Sequence, residues 1–148
     1  MRSSELRDEL LQQHASLRGR LDAARLAVTR WARHEVPRTH VRDELAGFAH
    51  ALRGHNRLEE GALRELLAAV DAWGPARLEI MVEAHVREHN DVFEALLAVS
   101  EAADPRTAVE EIERLRQHLL EHMAREEETF LNESVLRDDD VAIDALEG

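Results

Sequence analysis

The chain has 148 residues, 44% of them apolar and 34% charged, enough to bury one sizeable core and inconsistent with disorder. Acidic residues outnumber basic ones 31 to 19, for a net charge of −12, which argues against a general nucleic-acid or anionic-membrane binder. Cysteine is absent and every basic residue is an arginine, which excludes disulfides, thiolate zinc sites, cysteine nucleophiles, Schiff-base lysines and P-loops.

Ala, Leu, Glu and Arg dominate four successive helix-length stretches, at about 4–34, 40–73, 76–102 and 105–133. Pro37 ends the first, with Thr39 a candidate N-cap of the second. Gly74-Pro75 divides the second from the third, and Asp104-Pro105 reads as an N-cap followed by proline at the first helical position. No β pattern is present. The prediction is an all-α, up-down-up-down antiparallel four-helix bundle over residues 1–133, followed by a short acidic C-terminal tail, 134–148, containing Asp138-Asp139-Asp140.

Each stretch carries a seam with alternating steps of four and three residues, the pattern antiparallel helices bury in a bundle. The first runs Leu10, His14, Leu17, Leu21, Ala24, Val28, Trp31, and the second Val41, Leu45, Phe48, Leu52, His55, Glu59, Ala62, Leu66, Ala69, Trp73. The third runs Leu78, Val82, His85, His89, Val92, Leu96, Val99, Ala103, and the fourth Ala108, Ile112, Leu115, Leu119, His122, Glu126, with Thr129 and Glu133 fraying toward solvent.

Polar residues interrupt every seam: His14 in the first, His55 with Glu59 in the second, His85 with His89 in the third, His122 with Glu126 in the fourth. A buried, unpaired carboxylate costs several kcal/mol, roughly 3–5 once a partner is lost, and a shared cation offsets that cost. The heights agree. His14 lies about 23 residues before Pro37 and Glu59 about 22 after it. Glu59 and His89 are each about 15 from Gly74, and His85 and His122 about 18–19 from Asp104, so at a rise of about 1.5 Å per residue all seven fall within roughly two helical turns. The i, i+4 pairs His55/Glu59, His85/His89 and His122/Glu126 each present two groups from one face. Without a cation, Glu59 and Glu126 are expected to have raised pKa values.

Five imidazoles and two carboxylates exceed the needs of one ion and suit two; nitrogen and oxygen without sulfur favour iron or manganese, allow zinc and disfavour calcium. No histidine has a glutamate three residues before it, which disfavours the ferritin-like di-iron pattern. His34, His40, His50 and His118 lie off the seams and read as solvated or helix-edge residues, and His40/Glu44 as a surface pair. Glu60, Glu127 and Glu128 adjoin the candidate ligands and read as solvated, with Glu127 kept as the alternative to Glu126.

The set His14, His55-Asn-Arg-Leu-Glu59, His85-Val-Arg-Glu-His89 and His122-Met-Ala-Arg-Glu126 resembles the hemerythrin-like (HHE cation-binding) family over residues 1 to about 133. The halves also form a weak internal repeat: Leu11-Gln-Gln-His14 recurs as Val86-Arg-Glu-His89, and His55-x-x-x-Glu59-Glu60 as His122-x-x-x-Glu126-Glu127. The resemblance implies two non-haem iron ions, carboxylate- and oxo-bridged. One would be held by His85, His89 and His122; the other by His14 and His55, with an open position; Glu59 and the fourth-helix carboxylate would bridge them. The family's oxygen carriers have an aspartate five residues after the fourth-helix histidine, where this chain has Glu127, while Glu126 stands at the offset of the HHE group. The paired His85/His89 matches the oxygen carriers.

The leading expectation is a cytoplasmic protein that binds or senses O2, or a related small ligand such as NO, at the open iron position. Nucleic acid and membrane are not expected partners: no apolar run approaches the roughly 20 residues of a span, and the N-terminus does not read as a signal peptide. A sensing role is expected to act through a separate output protein. The alternatives are a di-iron enzyme consuming peroxide or NO, and a metal-storage or structural bundle. The lack of tyrosine and cysteine as redox relays tilts the reading toward binding.

Overall fold

A computed structural model describes residues 2–70, 74–129 and 131, without the side chains at 3, 63, 65–70 and 74–82. It consists of α1 (Ser3–Ala32), α2 (Arg38–Val70), α3 (Gly74–Glu101) and α4 (Pro105–Thr129), with no strand among the described residues. Each helix packs on two others in a closed square: α1 on α2 and α4, α3 on α2 and α4. Interhelical contacts run in opposite directions along neighbours, as Arg18 with Glu127 and Arg25 with Glu113 show for α1 and α4. Neighbours are therefore antiparallel, and the molecule is an all-α four-helix bundle. No helix is long and apolar enough to cross a membrane among the described residues.

The stepped seams are the buried faces. Leu17, Leu21, Ala24 and Val28 from α1 meet Val41, Leu45, Phe48 and Leu52 from α2, Val92, Leu96 and Val99 from α3, and Ala108, Ile112, Leu115 and Leu119 from α4. Phe48 is the largest fully buried side chain. Trp31 and Ala62 are half-buried and Thr129 is exposed. Trp73, Glu133 and the expected tail 134–148 lie outside the described residues, as do the side chains of Leu66, Ala69, Leu78 and Val82.

The helix ends correct the sequence reading in four places. α1 stops at Ala32 because His34 turns into the left-handed region at φ 60°, with His34 N–H bonding Trp31 O at 3.0 Å and Glu35 N–H bonding Arg30 O at 2.9 Å, a Schellman closure with histidine where glycine is usual. α2 begins at Arg38, so Thr39 lies inside the first turn and Pro37 flanks the start: its fixed φ suits that place, and its carbonyl accepts from His40 N–H at 3.0 Å. α3 ends at Glu101, which turns Ala102 inward in place of Ala103. α4 ends at Thr129, and the chain folds back so that Leu131 N–H reaches Glu126 O at 2.9 Å and the Leu131 side chain is buried. At the other end of α4, Asp104 caps as expected, its carboxylate accepting from Thr107 N–H at 2.8 Å; those bonds hold its pKa below the usual value.

Candidate metal centre

The helices bring seven side chains together at one level of the bundle: His14 from α1, His55 and Glu59 from α2, His85 and His89 from α3, His122 and Glu126 from α4. All are buried, none more than 8% exposed. They form two overlapping groups that could each hold a metal ion, Glu59 with His85, His89 and His122, and His14 with His55, Glu59 and Glu126.

Glu59 belongs to both groups. Its Oε1 faces His85 Nε2 and lies 3.4 Å from His89 Nε2, while its Oε2 lies 3.0 Å from His55 Nε2 and 4.0 Å from His14 Nε2. Glu126 is divided in a similar way: Oε1 is 2.6 Å from His122 Nε2 and 3.7 Å from His14 Nε2, and Oε2 is 3.2 Å from His85 Nε2. Glu127 is not in either group; its carboxylate lies on the outer side of His14.

The imidazoles of His14, His55, His89 and His122 are held from outside through Nδ1. His14 Nδ1 bonds Glu127 Oε1 at 3.1 Å, His55 Nδ1 bonds Gln13 Oε1 at 2.7 Å, His89 Nδ1 bonds Glu60 Oε1 at 2.7 Å, and His122 Nδ1 bonds Glu88 Oε2 at 2.5 Å. An ionised carboxylate can only accept, so the Nδ1 facing it donates, and when the ring is neutral the Nε2 lone pair is left pointing inward. Arginines brace two of the acceptors, Arg18 with Glu127 at 3.0 Å and Arg125 with Glu88 at 3.0 Å. Gln13 is oriented by its own amide, which donates to Glu9 at 3.1 Å.

This outer ring corrects the reading of Glu60 and Glu127 as solvated: each accepts a bond from an imidazole of the centre. Gln13 and Glu88, which sequence reasoning missed, do the same. Their sequence signal is that Gln13 and Glu88 each directly precede a seam histidine, while Glu60 and Glu127 each directly follow a seam glutamate. The off-seam His34, His50 and His118 are exposed and His40 is half-buried; none belongs to either group.

The interior atoms fit a cation. Nε2 of His14, His55, His89 and His122, Oε2 of Glu59 and Oε1 of Glu126 are all buried and have no well-formed hydrogen bond, facing only one another, as His55 Nε2 does Glu59 Oε2 at 3.0 Å and His122 Nε2 does Glu126 Oε1 at 2.6 Å. A buried polar group without a well-formed bond costs roughly 1–3 kcal/mol, and a shared cation would satisfy these atoms together. The polar neighbours also set the charges. Burial alone would raise the Glu59 carboxyl, but Glu126 and the surrounding histidines outweigh it and hold the group well below the usual range. Burial works to lower His85, yet Glu126 and Glu59 raise it to about 10. His122 is raised for the same reasons, with Glu88 contributing, whereas burial leaves His14 lowered. The expectation of a raised carboxylate pKa therefore fails for Glu59: it assumed a carboxylate alone in an apolar seam, and imidazoles surround this one.

Compared with protein-family models, curated proteins and solved structures, the chain matches none.

Proposed function

We propose that the chain is a hemerythrin-like, non-haem di-iron protein that binds or senses a small ligand such as O2 or NO. In this reading His85, His89 and His122 hold one iron and His14 and His55 the other, with Glu59 and Glu126 shared between them. The observation that carries it is the division of Glu59, one oxygen toward His85 and His89 and the other 3.0 Å from His55. One ion needs only one of the two groups, and a carboxylate spread across both is what a bridged pair requires.

A bound iron pair supplies oxidisable metal and an open coordination position. The chain's own residues hold the pair, keep the imidazole lone pairs inward through their Nδ1 bonds, and exclude water. The lack of tyrosine or cysteine to relay electrons favours binding over turnover of peroxide or NO. As a sensor, the chain would signal through a separate output protein.

Metal analysis of iron-loaded protein, with anaerobic spectra before and after O2, tests this reading. About two irons per chain and a visible band that appears and disappears reversibly is the expected result. Net peroxide or NO loss over many turnovers makes the protein an enzyme instead. Iron that no small ligand perturbs makes it a storage or structural bundle, and one ion or none overturns the pair.

A further inference from the structure

Grooves run between neighbouring helices on opposite faces of the bundle, and they differ in how their charges are matched. Between α1 and α4, Asp22, Arg25, Leu26 and Glu113 line a groove of about 340 Å³, and its arginine is neutralised within it: Arg25 lies 2.7 Å from Glu113 and 3.9 Å from Asp22. Between α2 and α3 lies a groove of about 340 Å³ whose charges are not matched. Leu45, Ala49 and Leu96 are its buried lining, and Arg42 and Arg53 stand exposed on its α2 side. Neither arginine has an ion pair among the described residues. Arg53 lies over the Phe93 ring, 5.5 Å from its centroid, which aligns the guanidinium with the groove and leaves its N–H groups free to donate.

The α3 side of the same groove is apolar. Leu97 is 55% exposed and Phe93 half-buried, and the row continues along the helix to Val86, 40% exposed. Steps of seven and four residues keep the three within roughly 40° of one line, over about 16 Å. Single exposed apolar residues are ordinary; a row beside unpaired arginines is a surface made for contact.

We propose that the α2–α3 groove docks an acidic amphipathic helix of a partner protein. The row is too long for a small molecule, and a furrow between two helices accepts the ridge of a third. Apolar side chains of that helix lie along Leu97, Phe93 and Val86, while carboxylates on its flank meet Arg42 and Arg53, whose planar forks suit them. A second copy is the poorer occupant, because it brings a net charge of −12 across the whole contact, whereas one helix brings acid only where the arginines stand. The docking site stands without the metal reading. It would place a partner on the two helices that carry His55, Glu59, His85 and His89.

The test is fluorescence anisotropy of full-length protein with two labelled synthetic helices of three heptads. Both have leucine at a and d; one has glutamate at e and g, the other lysine. The glutamate helix should bind about tenfold tighter than the lysine helix. Arg42→Glu with Arg53→Glu should reverse that preference, and Arg42→Glu alone should shift it the same way if the double variant does not fold. Leu97→Asp should weaken both helices, and Leu26→Asp on the opposite face should weaken neither. No preference in wild type, no shift in Arg42→Glu, or equal losses in Leu97→Asp and Leu26→Asp overturns the assignment. Wild-type self-association that Leu97→Asp abolishes makes the occupant a second copy. Tighter binding of the glutamate helix after Asp138, Asp139 and Asp140 are changed to Asn makes it the chain's own acidic stretch. Either result overturns the partner helix.

Discussion

Gln13 stands to His55 as Glu88 stands to His122: each accepts the Nδ1–H of an imidazole on the neighbouring helix, at 2.7 and 2.5 Å, and each directly precedes another histidine of the centre. The geometry is shared and the charge is not. A carboxylate makes its imidazole a stronger donor to metal than a neutral amide does. The position holding His55 should therefore release its ion first.

That asymmetry gives the first prediction. Glu88→Ala should loosen the tighter ion about 10–100-fold, and Gln13→Glu should tighten the weaker one, narrowing the gap between two dissociation steps. Competition of Zn2+-loaded protein against a chelator reads both constants. Equal constants in wild type, or no response to Gln13→Glu, would show that the outer acceptors do not tune the site.

Glu126 and Glu127 are neighbours with different tasks. Glu126 is 1% exposed and faces inward; Glu127 is partly exposed, its carboxylate shared by His14 and Arg18, whose bonds outweigh burial and hold its pKa below the usual value. Glu126→Ala should cost one metal ion per chain. Glu127→Ala should keep both but weaken the ion at His14 about 10–100-fold, because the ring loses the acceptor that fixes its tautomer. Metal content and chelator competition on the two variants separate these outcomes; loss of an ion in Glu127→Ala alone would reverse the roles.

The inward set was legible because burial in a bundle is a matter of period. Steps of three and four residues placed His14, His55, Glu59, His85, His89, His122 and Glu126 on buried faces, and distances from the loops placed them at one level. The same stepping favoured Glu126 over Glu127, which is turned by about 100°. The outer acceptors were not legible because they sit on half-exposed flanks, where a helix accepts any polar residue. Gln13, Glu60 and Glu88 look like ordinary surface residues until the neighbouring helix brings an imidazole within reach. Helix ends escaped for a similar reason: Thr39 and Ala103 fit their rules locally, and a shift of two residues after Pro37 or of one at Glu101 was enough to undo them.

His34 offers a stability test remote from the centre. Its φ of 60° closes α1, and an L side chain there costs roughly 1–2 kcal/mol that glycine avoids, less about 0.5–1 kcal/mol for glycine's greater freedom when unfolded. His34→Gly should raise stability by about 0.5–1 kcal/mol, a gain of a few degrees in Tm, with metal content unchanged. A lower Tm would mean that the His34 side chain contributes more than its backbone costs.

Metal removal should depend on pH in a direction set by the histidines. Burial works to lower His85, but Glu126 and Glu59 raise it from 6.5 to about 10, so the stability it adds to the metal-free chain is complete below 6.5 and lost as pH rises through about 10. His122, also raised, acts in the same sense. Glu59 is depressed, so its contribution is present above 4.5 and lost only in acid, as pH falls through its lowered value. Between about pH 6.5 and 10 Glu59 therefore stays ionised while the stability that the His85 imidazolium adds to the metal-free chain is progressively lost. A bound cation keeps that counter-charge in place, and competition from protons for Nε2 falls over the same interval. The drop in Tm on chelation should grow from about pH 6.5 to 9.5. Melting curves with and without chelator at about pH 6.5, 8 and 9.5 measure it; a drop that shrinks as pH rises would mean that the imidazoles are not the counter-charge of the metal-free centre.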